Sequence, residues 1–178
     1  ERLVKDGFTV TVVSYGENLS DEKLVFRVRR VYRRRPKLWQ WLVYCFLIFR
    51  ETWGSILIYA FDLTSAGVPS FAASVIYNKP LVLRVGGDPI WERVVEKNKR
   101  FLTIEEYYKK KYHQLDNPIL FWLIRRVLNR AKVLVTYNQF FKDFYNNYFG
   151  VPTDKIRIIK NPVFKRESAS TVLSNNPI

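Results

Sequence analysis

Residues 81–85 (LVLRV) are apolar with almost no polar alternation, the pattern of a strand covered on both faces in a parallel sheet. Similar runs recur at 8–15 (FTVTVVSY), 55–60 (SILIYA), 132–137 (KVLVTY) and 156–159 (IRII). Residues 24–31 (LVFRVRRV) alternate as a strand nearer a sheet edge does. Segments of helical pattern separate most of these runs. Strands alternating with helices predict an α/β fold: a doubly wound, Rossmann-like, mainly parallel sheet with helices on both faces.

Helix ends are marked by their own chemistry. Gly7 follows residues 1–5 as a C-cap. Asp88 stands before Pro89 as an N-cap with proline in the first helical position. Thr103 with Glu106 has capping-box spacing and starts a helix reaching about His113. In 118–132, Phe121, Ile124, Leu128 and Ala131 recur at three- or four-residue spacing, with Arg125, Arg126 and Arg130 between them. Asn138 caps a helix over 139–149 that Gly150 ends. A turn at 151–154 leads into the last strand, which Asn161-Pro162 closes.

In open α/β sheets, ligands bind in the crevice outside the carboxyl ends of the strands. Gly86, Gly87 and Asp88 sit at such an end, where two glycines let the backbone turn sharply and approach a ligand. Asp62 and Ser65 sit at another. Each has a plainer reading: a tight turn for the glycines, helix capping for Asp62, Ser65 and Asp88. No G-x-G-x-x-G or P-loop signature is present.

Thirty lysines and arginines against 16 acids give a formal charge of +14, which favours anionic partners: nucleic acid, phosphorylated ligands or a membrane surface. Residues 27–37 are rich in arginine, carry no acid, and run into the apolar stretch 38–49 (LWQWLVYCFLIF). That stretch is too short to span a bilayer, which needs about 20 residues. A helix over 36–52 fits. It is either buried against the sheet or partly exposed at a membrane interface, with Trp39 and Trp41 as anchors beside Arg33, Arg34 and Arg35. Cys45 is the only cysteine, so no internal disulfide forms, and its place in the apolar run suits a small buried side chain. His113 is the only histidine, so no site can be built around paired histidines; a surface position is expected for it.

Taken together and in order, several segments resemble the N-terminal domain of glycosyltransferase family 4 enzymes, which have the GT-B fold. They are RLVKDGFTVTVV (2–13), Phe61-Asp62-Leu63, KPLVLRVGGD (79–88), the 131–148 strand-helix unit, and NNYFGVPTDKIRIIKNPV (146–163). GDPIWE (87–92) is similar to a G-D-x-x-W-E variant of one subgroup. The resemblance covers 1–163 and leaves 164–178 as the start of a linker or tail. Two departures stand out. The family's first strand and its Gly-rich loop would precede Glu1, and Gly86 replaces a histidine often found before the Gly-Asp pair.

The resemblance implies the acceptor-side half of a retaining enzyme that moves a hexosyl-type sugar from a nucleotide-sugar to a glycan or lipid-linked acceptor. It implies no cofactor and no bound metal. Catalytic residues are not assigned, and the donor would bind mainly to a second domain, so this piece alone is expected not to turn over. Its cleft wall would include Asp62, Gly86, Gly87, Asp88, Trp91, Glu92 and Asn138. Asp88 either binds a sugar hydroxyl or caps, Trp91 stacks on a sugar or packs, and Glu92 binds acceptor or pairs with a base. A cytoplasmic setting, peripheral at the inner face of the membrane and in cell-envelope polysaccharide synthesis, follows from the same likeness. The alternatives are a non-enzymatic basic module binding nucleic acid or acidic polymers, and another doubly wound enzyme such as an epimerase. The dispersed arginines speak against the first, so no nucleic acid partner is expected.

Overall fold

The structure, a computed structural model, describes residues 2–17, 24–34, 36–97 and 101–160. Arg35, residues 18–22 of the polar stretch 16–22, whose composition predicts a loop, the Asn161-Pro162 closure and the tail lie outside them. Helix α1 (Arg2–Lys5) precedes strands β1 (Thr11–Tyr15) and β2 (Arg27–Val31). Then follow α2 (Lys37–Trp53), β3 (Ile58–Ala60), α3 (Gly67–Ile76) and β4 (Leu81–Arg84). Four consecutive helices come next: α4 (Pro89–Glu96), α5 (Ile104–Lys109), α6 (Tyr112–Asp116) and α7 (Pro118–Arg130). The described chain closes with β5 (Val133–Thr136), α8 (Gln139–Phe149) and β6 (Ile156–Ile158). Every strand pairing is parallel and helices cover both sides, which is the α/β class the apolar runs predict.

The strands divide into two sheets, β1-β2 and β3-β4-β5-β6. In the larger sheet Ala60, Leu83, Leu134 and Ile156 form one rung of register partners, each at most 2% exposed. Burying a side chain of Leu or Ile size this fully contributes roughly 1.5–3 kcal/mol. Such rungs explain why LVLRV and KVLVTY read as continuous apolar runs. The edges differ. All five residues of β1 are only half-buried, and Tyr59 of β3 is exposed. Among the described residues, β1 pairs only with β2 and β3 only with β4.

Helix α2 joins the two parts. Its Tyr44 ring stacks on Tyr15 of β1 at 4.7 Å, and Glu51 pairs with Arg29 of β2 at 3.3 Å. Its far end meets α3 through Phe49 and Trp53, which pack edge-on against Tyr77. Arg130, at the end of α7, donates to the Ser74 hydroxyl (3.0 Å) and carbonyl (2.8 Å) of α3. The stretch 38–49 is therefore neither wholly buried nor wholly exposed: Tyr44 is buried while Trp39 and Trp41 face out. Cys45, expected to be buried, is half-buried, because it lies on the flank of the helix.

Two expectations about 103–113 fail together. The helix capped by Thr103 and Glu106 stops at Lys109, and Lys111 adopts a left-handed conformation (φ 56°) before α6 begins. That break turns His113 inward. It is 4% exposed rather than on the surface, and its ring stacks on Tyr108 at 4.3 Å and lies 4.7 Å from Phe121. The aromatic content of α5 and α8 supplies the missing reason, since Tyr108, Phe144, Tyr148 and Phe149 build an apolar pocket there. Gly150, at φ +71°, ends α8 as its sequence position predicts.

Candidate functional site

The loops after β3 and β4 open at the carboxyl end of the larger sheet and enclose a cleft of about 210 Å3. From the first loop come Phe61, Asp62, Thr64 and Ser65; from the second come Gly86, Gly87, Pro89 and, from the first turn of α4, Glu92.

Asp62 organises its loop. Its Oδ1 accepts the N–H groups of Thr64 (2.8 Å), Ala66 (2.9 Å) and Gly67 (3.4 Å), and its Oδ2 accepts the Ser65 hydroxyl at 2.5 Å. The carboxylate thus satisfies orphan amides at the start of α3 and also borders the cleft. Gly67 belongs to the same construction. A Cβ there would collide with the Asp62 backbone carbonyl, so only glycine lets the helix start this close to the loop.

Neither Gly86 nor Gly87 uses a left-handed conformation, which corrects the expectation that the pair exists to turn the chain sharply. Their use is spatial. Gly86 is exposed at the cleft. At Gly87 the Glu92 carboxylate occupies the place a Cβ would take. Glu92 is exposed, and its carboxylate has no hydrogen bond or ion pair with another described residue. It is an acceptor group presented to the cleft that none of the described residues engages.

The other sequence candidates serve the framework. Asp88 is 1% exposed and does not line the cleft. Its carboxylate accepts the N–H of Trp91 at 2.9 Å and of Ile90 at 3.5 Å, and the Tyr108 hydroxyl at 2.9 Å. Burial pushes its pKa up to about 6 against the pull of those hydrogen bonds, and nearby Glu92 adds to the rise. Trp91 is half-buried and donates its indole N–H to the Leu102 carbonyl at 2.9 Å, so it packs instead of facing the cleft. Asn138 accepts the Phe141 N–H at 3.0 Å as the cap of α8, and it too is off the cleft.

Sequence reasoning missed the support beneath the loop. The Tyr145 hydroxyl of α8 donates to the Gly87 carbonyl at 2.6 Å, so Tyr145 and Tyr108 hold consecutive residues of the loop from below. Burial raises both phenols well above the usual range, keeping them neutral donors. It also missed Phe61, 71% exposed at the cleft and 4.9 Å from the Tyr59 ring. The available signal was an aromatic residue next to Asp62 at a strand's carboxyl end.

Among the described residues, no three His, Cys, Asp or Glu side chains gather closely enough to hold a metal ion. None of the described helices is long and apolar enough to cross a membrane.

A parallel sheet with a glycine-lined cleft at its carboxyl end defines an α/β ligand-binding domain. The model of Glycosyltransferase Family 4 matches residues 1–164, and the chain belongs to that family. No curated protein matches it. Family membership makes this a glycosyltransferase domain whose partners are a sugar donor and an acceptor.

Proposed function

We propose that this domain is the acceptor-side half of a retaining GT-B enzyme that transfers a hexosyl-type sugar from a nucleotide-sugar to a glycan or lipid-linked acceptor. The observation that carries the reading is the cleft itself: the Glu92 carboxylate, the Phe61 ring and Gly86 converge at the carboxyl end of the sheet, where open α/β folds bind ligands. The Glu92 carboxylate accepts hydrogen bonds from sugar hydroxyls, the exposed Phe61 ring stacks on a sugar face, and Gly86 lets the acceptor approach the backbone. Ser65 keeps its hydroxyl on Asp62 and fixes the first loop.

The donor's nucleotide lies mainly on a second domain, so residues 1–163 alone bind acceptor without turnover. Catalysis in such a site rests on positioning and electrostatic stabilisation of the leaving diphosphate. The resemblance brings with it a mechanism without a bound metal. A lipid-linked acceptor places the work at the cytoplasmic face of a membrane, in polysaccharide synthesis, with Arg33, Arg34, Arg35, Trp39 and Trp41 toward the anionic surface. Each basic residue near such a surface contributes about 1 kcal/mol.

The test uses the full-length enzyme with labelled nucleotide-sugars and membrane-extracted acceptor. Glu92→Gln and Phe61→Ala each raise the acceptor KM about tenfold, close to 1.4 kcal/mol, and leave the donor KM unchanged. Transfer at unaltered acceptor KM by both variants refutes the site.

A further inference from the structure

Helix α2 has two apolar faces. The inner one carries buried Tyr44 and Thr52. On the opposite side, at helical spacing, Leu38, Trp39, Leu42, Phe46 and Trp53 are exposed by 70, 56, 48, 63 and 73%. A solvated helix face is ordinarily polar. The only acid of α2 is Glu51, and it is turned inward onto Arg29. The outer face therefore has no negative charge. Arg33, Arg34 and Lys37 lie at its start and Arg50 near its end; of these, Arg34 is paired with exposed Glu17 at 3.4 Å. The adjoining end of α3 extends the apolar area with Val75 and Ile76, 52 and 64% exposed.

We propose that the outer face of α2 docks flat on an anionic bilayer. Trp39, Leu42, Phe46 and Trp53 enter the boundary between headgroups and acyl chains, and the flanking basic side chains meet lipid phosphates. Charge selects this occupant. A second copy would bring another formal +14 against the same basic flanks, whereas anionic lipid complements them. Insertion across the bilayer is barred by geometry. Seventeen residues rise about 26 Å, short of the roughly 30 Å hydrocarbon core, and the inner face is already packed on β1 and α3. The proposal deepens the membrane contact of the reading above and rests on it for its setting. It also sorts the two tryptophans that face the surface: Trp39 inserts, while Trp41, on the flank, stays at the level of the headgroups.

The test is co-sedimentation of the full-length chain with vesicles of 30% phosphatidylglycerol in phosphatidylcholine, against phosphatidylcholine alone. The wild type binds the anionic vesicles. Leu42→Ser with Phe46→Ser lowers the partition coefficient at least about tenfold. Arg33→Ser, Arg34→Ser and Lys37→Ser together give a comparable loss, and added salt weakens the wild type in parallel. Both apolar positions are exposed, so the thermal midpoint stays level; should it fall, the charge variant carries the test. Unchanged binding by the apolar variant overturns the proposal. So does a concentration-dependent dimer that Phe46→Ser dissociates. Transfer to a water-soluble acceptor analogue is unaffected by the apolar variant, so loss of vesicle binding with transfer intact separates this inference from failure of the cleft assignment.

Discussion

Asp88 and His113 flank Tyr108 from two directions, the carboxylate taking its hydroxyl at 2.9 Å and the imidazole stacking on its ring at 4.3 Å. Their titrations oppose each other. Burial raises Asp88 from 3.8 to about 6, so the fold prefers the neutral acid. That contribution is complete below about pH 4 and is lost as pH rises through about 6. The gap of about 2.2, at 1.36 kcal/mol per pKa unit, amounts to ~3 kcal/mol. Burial lowers His113 from 6.5 to about 4, so the fold prefers the neutral imidazole. That contribution is complete above about pH 6.5 and is lost as pH falls through about 4. Its gap of about 2.5 is also worth ~3 kcal/mol. Between pH 4 and 6.5 the two slopes nearly cancel in the wild type. Asp88→Asn keeps an acceptor for the Trp91 N–H and removes the acid, so its unfolding free energy should climb by up to ~3 kcal/mol over that window relative to wild type. His113→Phe retains the ring stack and removes a buried Nδ1 that has no hydrogen-bond partner. Its stability should fall across the same window, and the double variant should run parallel to wild type again. Urea unfolding at half-unit pH steps, followed by tryptophan fluorescence, reads all four proteins. Other carboxylates contribute equally to each, so only differences matter. Single-variant curves parallel to wild type would refute the opposition of these two groups.

Other consequences can be measured with the same unfolding assay or by exchange. Gly67→Ala sets a methyl group against a backbone carbonyl that cannot yield and should cost ~1–3 kcal/mol. Gly87→Ala meets only the end of the flexible Glu92 side chain and should cost less than ~1 kcal/mol while displacing that carboxylate; the reverse ranking would show the close approach at Gly67 to be misread. Tyr145→Phe leaves the Gly87 carbonyl without its donor at 2.6 Å and should cost ~1–3 kcal/mol, and no loss would mean that the hydroxyl does not hold the loop. Amides on the edges of β1 and β3 that no described strand pairs should exchange with solvent far faster than those of Leu83 and Leu134, as native-state exchange by mass spectrometry or NMR would reveal.

What could be read from the residues was what local chemistry decides. Apolar runs located the strands, and Asp88, Thr103 and Asn138 all accept the capping bonds their positions predict. The need for glycine at position 87 was not legible, because its demand for space depends on a side chain five residues on. His113 was misplaced because its burial depends on a left-handed Lys111 and on rings contributed by α7 and α8, contacts that no local pattern encodes. The Tyr145 bond to Gly87 spans 58 residues and is equally invisible to spacing. Polar candidates near a strand end therefore divide by hydrogen bonding. Asp88 and half-buried Asn138 cap helices, whereas the Glu92 carboxylate has no partner among the described residues.

Among the described residues β1 and β3 each pair on one side only, and the cleft opens at the end of β3. At about 210 Å3 the cleft is smaller than the roughly 300–1,000 Å3 of a typical small-molecule site, and the described residues that line it come from the loops that follow β3 and β4 and the first turn of α4. Its Asp62 also acts on the seam between the sheets. After burial, the Asp62 charge is the next cause raising the Tyr44 phenol to about 12, and it contributes to the rise at Tyr15, the last residue of β1. The carboxyl end of β1 therefore lies within the electrostatic reach of the cleft. A further parallel strand, hydrogen-bonded to β1 on one side and β3 on the other, would join the sheets and deliver its carboxyl-end loop beside Asp62. The same addition that removes two exposed edges would thus supply a further wall of the cleft, and a strand supplied there should slow edge exchange and tighten acceptor binding together. Protection of the edges with no gain in binding would separate the two and leave the cleft to be completed from elsewhere.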